Sequence, residues 1–278
     1  MAAKVALVTG ASSGIGEAAA RHLRDAGFTV YAAARRVDRM AQLRAVGIHT
    51  IALDVTDDDS ARVAVEQILA EQGRIDVLVN NAGYGSYGAL EDVPLTEAQA
   101  QLDVNVLGLA RMTRLVTPHL RAQRSGRIVN ISSMGGNFTT PLGAWYHASK
   151  YAVEAISDAL RMELAPFGID VVVVQPGSIR SEWGAIAAAK VLETSGDGPY
   201  REQAAAVANA LGNSSRPDAR LTSSPAVVAR AIVRAATARR PRTRYRIGFG
   251  AKPLVLAHRI LPARVFDLLI QRAVGGGA

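Results

Sequence analysis

Lys4-Val5-Ala6-Leu7-Val8-Thr9-Gly10-Ala11-Ser12-Ser13-Gly14-Ile15-Gly16 is the stretch on which the reading of this chain turns. Lys4 to Thr9 is almost continuously apolar, as a strand is when helices cover both faces of its sheet. Residues 14–26 follow with Ile15, Ala18, Ala19 and Leu23 at helical core spacing and Gly27 as the stop. Between strand and helix, the glycines permit a tight turn and let backbone come close to a pyrophosphate. The helix N-terminus adds unpaired N–H groups and the positive end of a dipole. A glycine-rich run is elsewhere a flexible connection, but at a strand-to-helix junction opening an α/β chain it points to nucleotide binding. The candidate contacts are Gly10, Ser12, Ser13, Gly14, Ile15 and Gly16. Their Gly-x-x-x-Gly-x-Gly spacing departs from the commoner dinucleotide fingerprint and lacks the Lys-Ser/Thr of a phosphate-transfer loop.

The alternation continues outward from this turn. Residues 28–33, 49–53, 75–80, 127–132 and 170–174 read as strands, with helices expected between them. Thr56 reads as an N-cap, with Asp57, Asp58 and Asp59 at the positive end of a helix that stops near Gly73. Thr96-x-x-Gln99 reads as a capping box opening a long helix to about Arg121, and residues 143–166 as another helix. Strand and helix alternate without repeats or low-complexity linkers, which predicts an α/β fold: one doubly wound, mostly parallel sheet. Its strand C-termini share one edge, where ligands bind. After Gly177 the pattern loosens, and residues 178–223, with a polar patch at 212–217, read as a mobile, helical substrate cover. Ser224-Pro225 opens a further helix, 243–247 offers a seventh strand, and 250–278 is an amphipathic C-terminal tail broken at Pro262. The expectation is a single domain over 1–278.

Composition narrows the function. The 278 residues can bury a sizeable core, and 49% hydrophobic with 20% charged residues is ordinary for a globular protein. There is no cysteine and the five histidines are scattered, so disulfides and thiolate metal sites are excluded and no metal is expected. No run of about 18 apolar residues and no signal-peptide layout is present, so a cytoplasmic protein without a transmembrane segment is expected. The net charge of +8 is uneven: residues 216–278 hold 13 Arg or Lys against Asp218 and Asp267, a net +11. That basic quarter is either a solvated face or a surface for phosphate, an anionic membrane or an acidic partner.

The second strand ends at Ala33-Ala34-Arg35-Arg36. An acidic residue there would bond a ribose 2′-hydroxyl, as in NAD binders. Arg35 and Arg36 suit a 2′-phosphate instead, and Ala34 leaves no carboxylate to repel it. The expected cofactor is therefore NADP(H). Tyr146 and Lys150 are four residues apart, which on a helix is about 40° of rotation and about 6 Å of rise. Phenol and ammonium then share a face, where the cation can favour the phenolate.

Thr9-Gly10-x-x-x-Gly14-x-Gly16, Asp54-Val55, Asn80-Asn81-Ala82-Gly83, Asn105, Ser133, Tyr146, Lys150 and Pro176-Gly177 follow in order, with Ser133 thirteen residues before the tyrosine. By these residues the chain resembles the short-chain dehydrogenases/reductases over roughly residues 4–181, with Ser181 where many members have threonine. The resemblance implies a Rossmann-type fold and hydride transfer between nicotinamide and a secondary alcohol or ketone. It makes Asn105, Ser133, Tyr146 and Lys150 the catalytic set: Tyr146 as general acid/base, Lys150 holding the nicotinamide ribose and depressing the phenol's pKa, Ser133 on the substrate oxygen, and Asn105 placing a relay water. The alternative for Asn105 is to satisfy a local backbone group. Asp54, Val55, Asn81, Ala82, Gly83, Tyr146, Lys150, Pro176, Gly177, Ile179 and Ser181 join the turn and the arginines as cofactor contacts.

The loose C-terminal hundred residues look most like the 17β-hydroxysteroid-dehydrogenase-like group, implying a hydrophobic steroid- or retinoid-like alcohol or carbonyl. Ser133, Met134, Leu142, Tyr146, Trp183 and the edge of the Tyr84–Gly88 loop are the candidate substrate contacts. A β-ketoacyl-carrier-protein reductase is the competing enzyme, and an idle dinucleotide sensor or nucleic-acid binder the competing class. The basic tail has no recognised nucleic-acid module, so no nucleic-acid partner is expected. A homodimer or homotetramer is expected, and the stripe at 254–273 packs on its own sheet or a sister subunit, or makes a weak peripheral membrane contact.

Overall fold

A computed structural model describes residues 3–216 and 218–275. Met1, Ala2, Pro217 and residues 276–278, which the readings above took into the domain, the polar patch and the tail, lie outside the described residues. The strands are Val5–Thr9 (β1), Thr29–Ala34 (β2), His49–Ala52 (β3), Val77–Asn80 (β4), Gly126–Ile131 (β5), Ile169–Pro176 (β6) and Arg244–Ile247 (β7). All seven are parallel, in the order β3-β2-β1-β4-β5-β6-β7. The helices are Gly14–Asp25 (α1), Ala41–Arg44 (α2), Asp58–Gln72 (α3), Leu95–Leu102 (α4), Leu109–Gln123 (α5), Ala144–Leu164 (α6), Glu182–Ser195 (α7), Arg201–Asn213 (α8), Pro225–Thr237 (α9), Ala251–Ile260 (α10) and Ala263–Val274 (α11).

Period-two alternation sends neighbouring strand residues to opposite faces, and both faces are covered. Ala6, Val8, Val77, Val79, Val129 and Val172 pack with Ala19, Leu23 and Ile232 of α1 and α9. Leu7, Tyr31, Leu78, Ile128 and Val171 pack with Ile68, Met112, Val116 and Leu164 of α3, α5 and α6. This is why β1 reads as an unbroken apolar run. From β1 the chain winds towards β2 and β3, and from β4 the other way. The loops after β1 and β4 therefore part and open a crevice at the strands' C-terminal ends.

Two local expectations need correction. The cap of α3 is Asp57, whose Oδ1 accepts the Ser60 N–H at 2.6 Å. Thr56 turns back instead, donating its N–H and hydroxyl to Asp54 Oδ1 at 2.9 and 2.7 Å. No Thr96–Gln99 capping box forms either, because α4 starts at Leu95 behind Pro94, whose ring presets the entry angle. The long helix also does not run straight: α4 and α5 are joined by a widened π turn, Asp103–Gly108. Segment 178–223 holds α7 and α8, packed on each other through Ala187, Val191, Ala204 and Val207.

A buried polar chain fastens the two central strands to the helices beneath them. Asn80 Nδ2 donates to Thr113 Oγ1 on α5 at 3.0 Å and to Asn130 Oδ1 at 2.9 Å. Asn130 Nδ2 donates to Ser157 Oγ on α6 at 2.9 Å. Asn130 has no exposure at all, so losing its amide strands two partners away from water. Asn130→Ala is expected to lower unfolding free energy by about 3 kcal/mol in urea at an unchanged m-value; a loss below about 0.5 kcal/mol would mean the chain carries no stability.

Candidate active site

The crevice is built from the first strand outward. Thr9 Oγ1 accepts the N–H groups of Asn81 and Ala82, each at 3.0 Å, and donates to Val79 O at 3.3 Å. Asn81 Nδ2 returns bonds to the carbonyls of Thr9 and Gly10 at 2.9 and 3.1 Å. At Gly10 φ is +66°, and a Cβ there would sit 2.8 Å from the Ala82 Cα. At Gly16 a Cβ would sit 2.4 Å from Gly10 O. Backbone proximity, not flexibility, therefore demands both glycines.

A cavity of about 760 Å³ runs along this edge. Its walls include Gly10, Ser12, Ser13, Gly14 and Ile15 from the turn, Arg35 and Arg36 after β2, Asp54 and Val55 after β3, and Asn81, Ala82 and Gly83 after β4. Ser133 and Met134 follow β5, Tyr146 and Lys150 come from α6, and Pro176, Gly177, Ile179, Ser181 and Trp183 follow β6. Two expected contacts are not on the wall. Gly16 lies beneath the turn and supports it. Leu142 takes φ +58°, gives its carbonyl to the Gly88 N–H at 2.7 Å, and packs its side chain into the apolar cluster around Tyr87 and Tyr146. The residues present fit a dinucleotide: a glycine cradle without room for a Cβ at Gly10 and Gly16, exposed Arg35 and Arg36, and no acidic side chain at the end of β2. Burial pushes the Asp54 carboxyl up, but bonds from Thr56 and the charges of Arg35 and Arg111 outweigh it and hold it below its ordinary range.

Helical spacing does bring Tyr146 and Lys150 together: Lys150 Nζ lies 6.0 Å from the Tyr146 ring centroid and donates to Ile131 O at 3.0 Å. Both residues are 8% exposed. Burial dominates their protonation. It raises the phenol to about 12, with a Ser133 hydrogen bond pulling it partly back, and it lowers the ammonium to about 8 against the pull of Glu154. Ser133 Oγ also accepts the Gly135 N–H at 3.0 Å, which fixes the hydroxyl. Asn105 sits in the π turn with its side chain filled: Oδ1 accepts the Tyr84 N–H at 3.0 Å, and Nδ2 donates to Tyr84 O at 2.9 Å and Ser149 Oγ at 3.0 Å.

Several wall residues escaped the sequence reading. His147 donates from Nδ1 to Gly135 O at 2.9 Å and accepts the Thr140 N–H on Nε2 at 3.0 Å, with burial keeping it neutral. Tyr87, hydrogen-bonded to Thr140, lies tilted 5.6 Å from Tyr146, and Trp183 closes over both at 6.0 and 5.1 Å. Phe138, Val207, Leu211 and Val274 complete an apolar side of the cavity. Only adjacency to Tyr146 and membership of the Tyr84–Gly88 loop pointed to His147 and Tyr87. Nothing in the helical periodicity of α8 or α11 says which cavity an apolar face lines. Among the described residues, no cluster of three His, Asp or Glu could hold a metal, and no helix is long and apolar enough to cross a membrane.

The buried ammonium has a measurable consequence. Lys150 falls from an ordinary 10.5 to about 8, so between these values the folded state binds fewer protons than the unfolded chain, and stability rises with pH across that window. Below about pH 8 the penalty is fully present. Lys150→Met is expected to gain about 2 kcal/mol at pH 7 and to lose the wild-type rise, read from denaturation midpoints across the pH series. Parallel curves for the two proteins would show that the ammonium is not desolvated.

Comparison with known proteins agrees with this geometry. The family described as short chain dehydrogenase matches residues 4–190. A 3-ketodihydrosphingosine reductase from Bacteroides thetaiotaomicron is 43% identical over 182 residues, 65% of this chain and 66% of that one. An NADPH-dependent 3-dehydrocapnine reductase from Ornithobacterium rhinotracheale is 36% identical over 72% of this chain and 71% of its own. A short-chain dehydrogenase from Streptomyces avermitilis superposes with a TM-score of 0.81 at 34% identity, covering 99% and 98% of the two chains. A metagenomic short-chain oxidoreductase in complex with NADP gives 0.67 at 27% identity, covering 87% and 95%. A 3-ketoacyl-(acyl-carrier-protein) reductase from Brucella melitensis, complexed with NADH, gives 0.69 at 30% identity, covering 84% and 91%. This chain belongs to the short-chain dehydrogenase/reductase family, oxidoreductases that act on alcohol and carbonyl groups with a nicotinamide dinucleotide.

Proposed function

We propose that the chain is an NADP(H)-dependent reductase, or in reverse a dehydrogenase, of an apolar ketone carried on an open chain. One observation carries the reading: Ser133, Tyr146 and Lys150 share a cavity with Arg35 and Arg36 and with the apolar side chains of Met134, Phe138, Trp183, Val207, Leu211 and Val274. Steroid- or retinoid-like carbonyls fit the same apolar lining, but the name of the Bacteroides relative turns the choice towards a 3-ketone of the sphingoid type. The carrier-protein reductase is kept as the comparison because of the Brucella neighbour.

A nicotinamide dinucleotide held by the Gly10–Gly14 turn, Asp54 and the Asn81–Gly83 segment would supply hydride chemistry beside Tyr146. Tyr146, a phenol that stays protonated at neutral pH and that burial raises to about 12, gives its proton to the carbonyl oxygen as charge develops there. Ser133 donates to the same oxygen, a preorganised stabiliser of its negative charge. Lys150, charged below about pH 8, lies behind the phenol and holds the cofactor's ribose while easing the loss of the tyrosine proton. Asn105 fixes the Tyr84 loop and Ser149 with its amide, so a proton relay at this position would use its backbone carbonyl. Trp183, over Tyr146 and Tyr87, excludes water from the reacting oxygen.

Tyr146→Phe keeps the ring and removes the donor, so kcat for ketone reduction is expected to fall at least about 100-fold with KM little changed; near wild-type turnover would reject the assignment. Arg35→Ala/Arg36→Ala is expected to raise KM for NADPH about tenfold or more while leaving that for NADH almost unmoved. An equal effect on both cofactors would sink the preference for the 2′-phosphate. Turnover of 3-ketodihydrosphingosine is expected to exceed that of an acetoacetyl thioester, and the reverse order would favour the carrier-protein reading.

A further inference from the structure

Of the sixteen exposed large apolar side chains among the described residues, five fall on α10 and α11: Leu256, Ile260, Val265, Leu268 and Leu269. Exposure reaches 59% at Leu256 and 69% at Ile260, more than a lone surface leucine explains when its neighbours do the same. The opposite faces of the two helices are spent on the fold, with Val255, Phe266 and Ile270 buried against Phe138. Helical spacing puts Leu256 and Ile260 on one stripe of α10 with Lys252 and Arg259, and Val265, Leu268 and Leu269 on one stripe of α11 with Arg272. Arg264 flanks the second stripe, and Asp267, the one acidic residue of the two helices, points to another side of α11.

We propose that α10 and α11 form a docking face for an anionic lipid bilayer. Apolar side chains edged by cations match the boundary between acyl chains and negatively charged headgroups. A second copy of the chain meeting the same face would bring two cation-edged faces of like charge together, so the charge selects the bilayer over self-association. The face also adjoins the cavity: Val274 at the end of α11 lines it, and Met134 on its wall lies beside the Gly250 turn that opens α10. On the reading of the site given above, a membrane-dissolved ketone would enter from the lipid that holds the tail.

The test is flotation of the 278-residue chain with vesicles of phosphatidylcholine alone or with about 30% phosphatidylglycerol. Partition into the anionic vesicles is expected to exceed that into neutral ones at least about tenfold, and to fall steeply in about 1 M salt. Arg259→Ala/Arg264→Ala/Arg272→Ala is expected to weaken anionic partition roughly 100-fold, about fivefold per charge. Leu256→Asp/Leu268→Asp should abolish it, while both variants keep wild-type turnover of a water-soluble ketone. Wild-type protein that ignores both vesicles, or an arginine variant that binds as wild type does, overturns the proposal. So does a wild-type dimer that Leu256→Asp/Leu268→Asp dissociates without any vesicle binding. Flotation needs no turnover, so a wrong substrate assignment and a wrong docking face give different results.

Discussion

Two backbones brought into contact at the sheet's centre create everything that follows. The Gly10 turn after β1 and the Asn81–Ala82 turn after β4 approach so closely that a single Cβ would collide with main chain. Thr9 and Asn81 hold them there with side-chain bonds to backbone in both directions. Because β1 and β4 lead their helices to opposite sides, the chain parts where it is most tightly tied, and the gap becomes the cavity. The polar chain from Asn80 through Asn130 to Ser157 then fixes α6, and with it Tyr146 and Lys150, against the same two strands.

Within that frame, burial outweighs charge pairing. The sequence suggested an ammonium easing a phenol towards ionisation. In the folded chain desolvation acts first on both groups, lifting one and lowering the other. The Ser133 bond partly lowers the phenol. A protonated donor beside a lysine still charged at neutral pH suits carbonyl reduction, whereas alcohol oxidation needs the phenolate and so gains from higher pH.

The legible parts of the fold were those set by nearest neighbours in sequence. Each strand from β1 to β7 lies within a residue or two of its expected range, and Ser224-Pro225 caps and opens α9 as its chemistry requires, Ser224 accepting the Ala226 N–H. Errors arose where two local solutions competed. Thr56 and Asp57 are both good caps, and the carboxylate took the helix while Asp54 took the threonine. The Thr96–Gln99 box lost to Pro94, two residues earlier, which occupies the cap position of α4. Leu142 looked like a pocket residue, but its left-handed backbone gives its carbonyl to Gly88 and turns the side chain into packing.

Motif spacing was enough to state the fold class, the glycine turn, the arginines after β2 and the tyrosine–lysine pair, because each depends on residues close in sequence whose geometry a helix or strand dictates. Which distant surfaces meet did not follow from spacing. Val207 and Leu211 on α8, Val274 on α11 and Trp183 on α7 are brought to one cavity from segments that share no periodic relation with α6. A helix's apolar stripe says that something must cover it. Whether it packs on the sheet, lines the cavity or stays exposed is decided by how the helices cross the sheet edge, and that is a property of the folded chain.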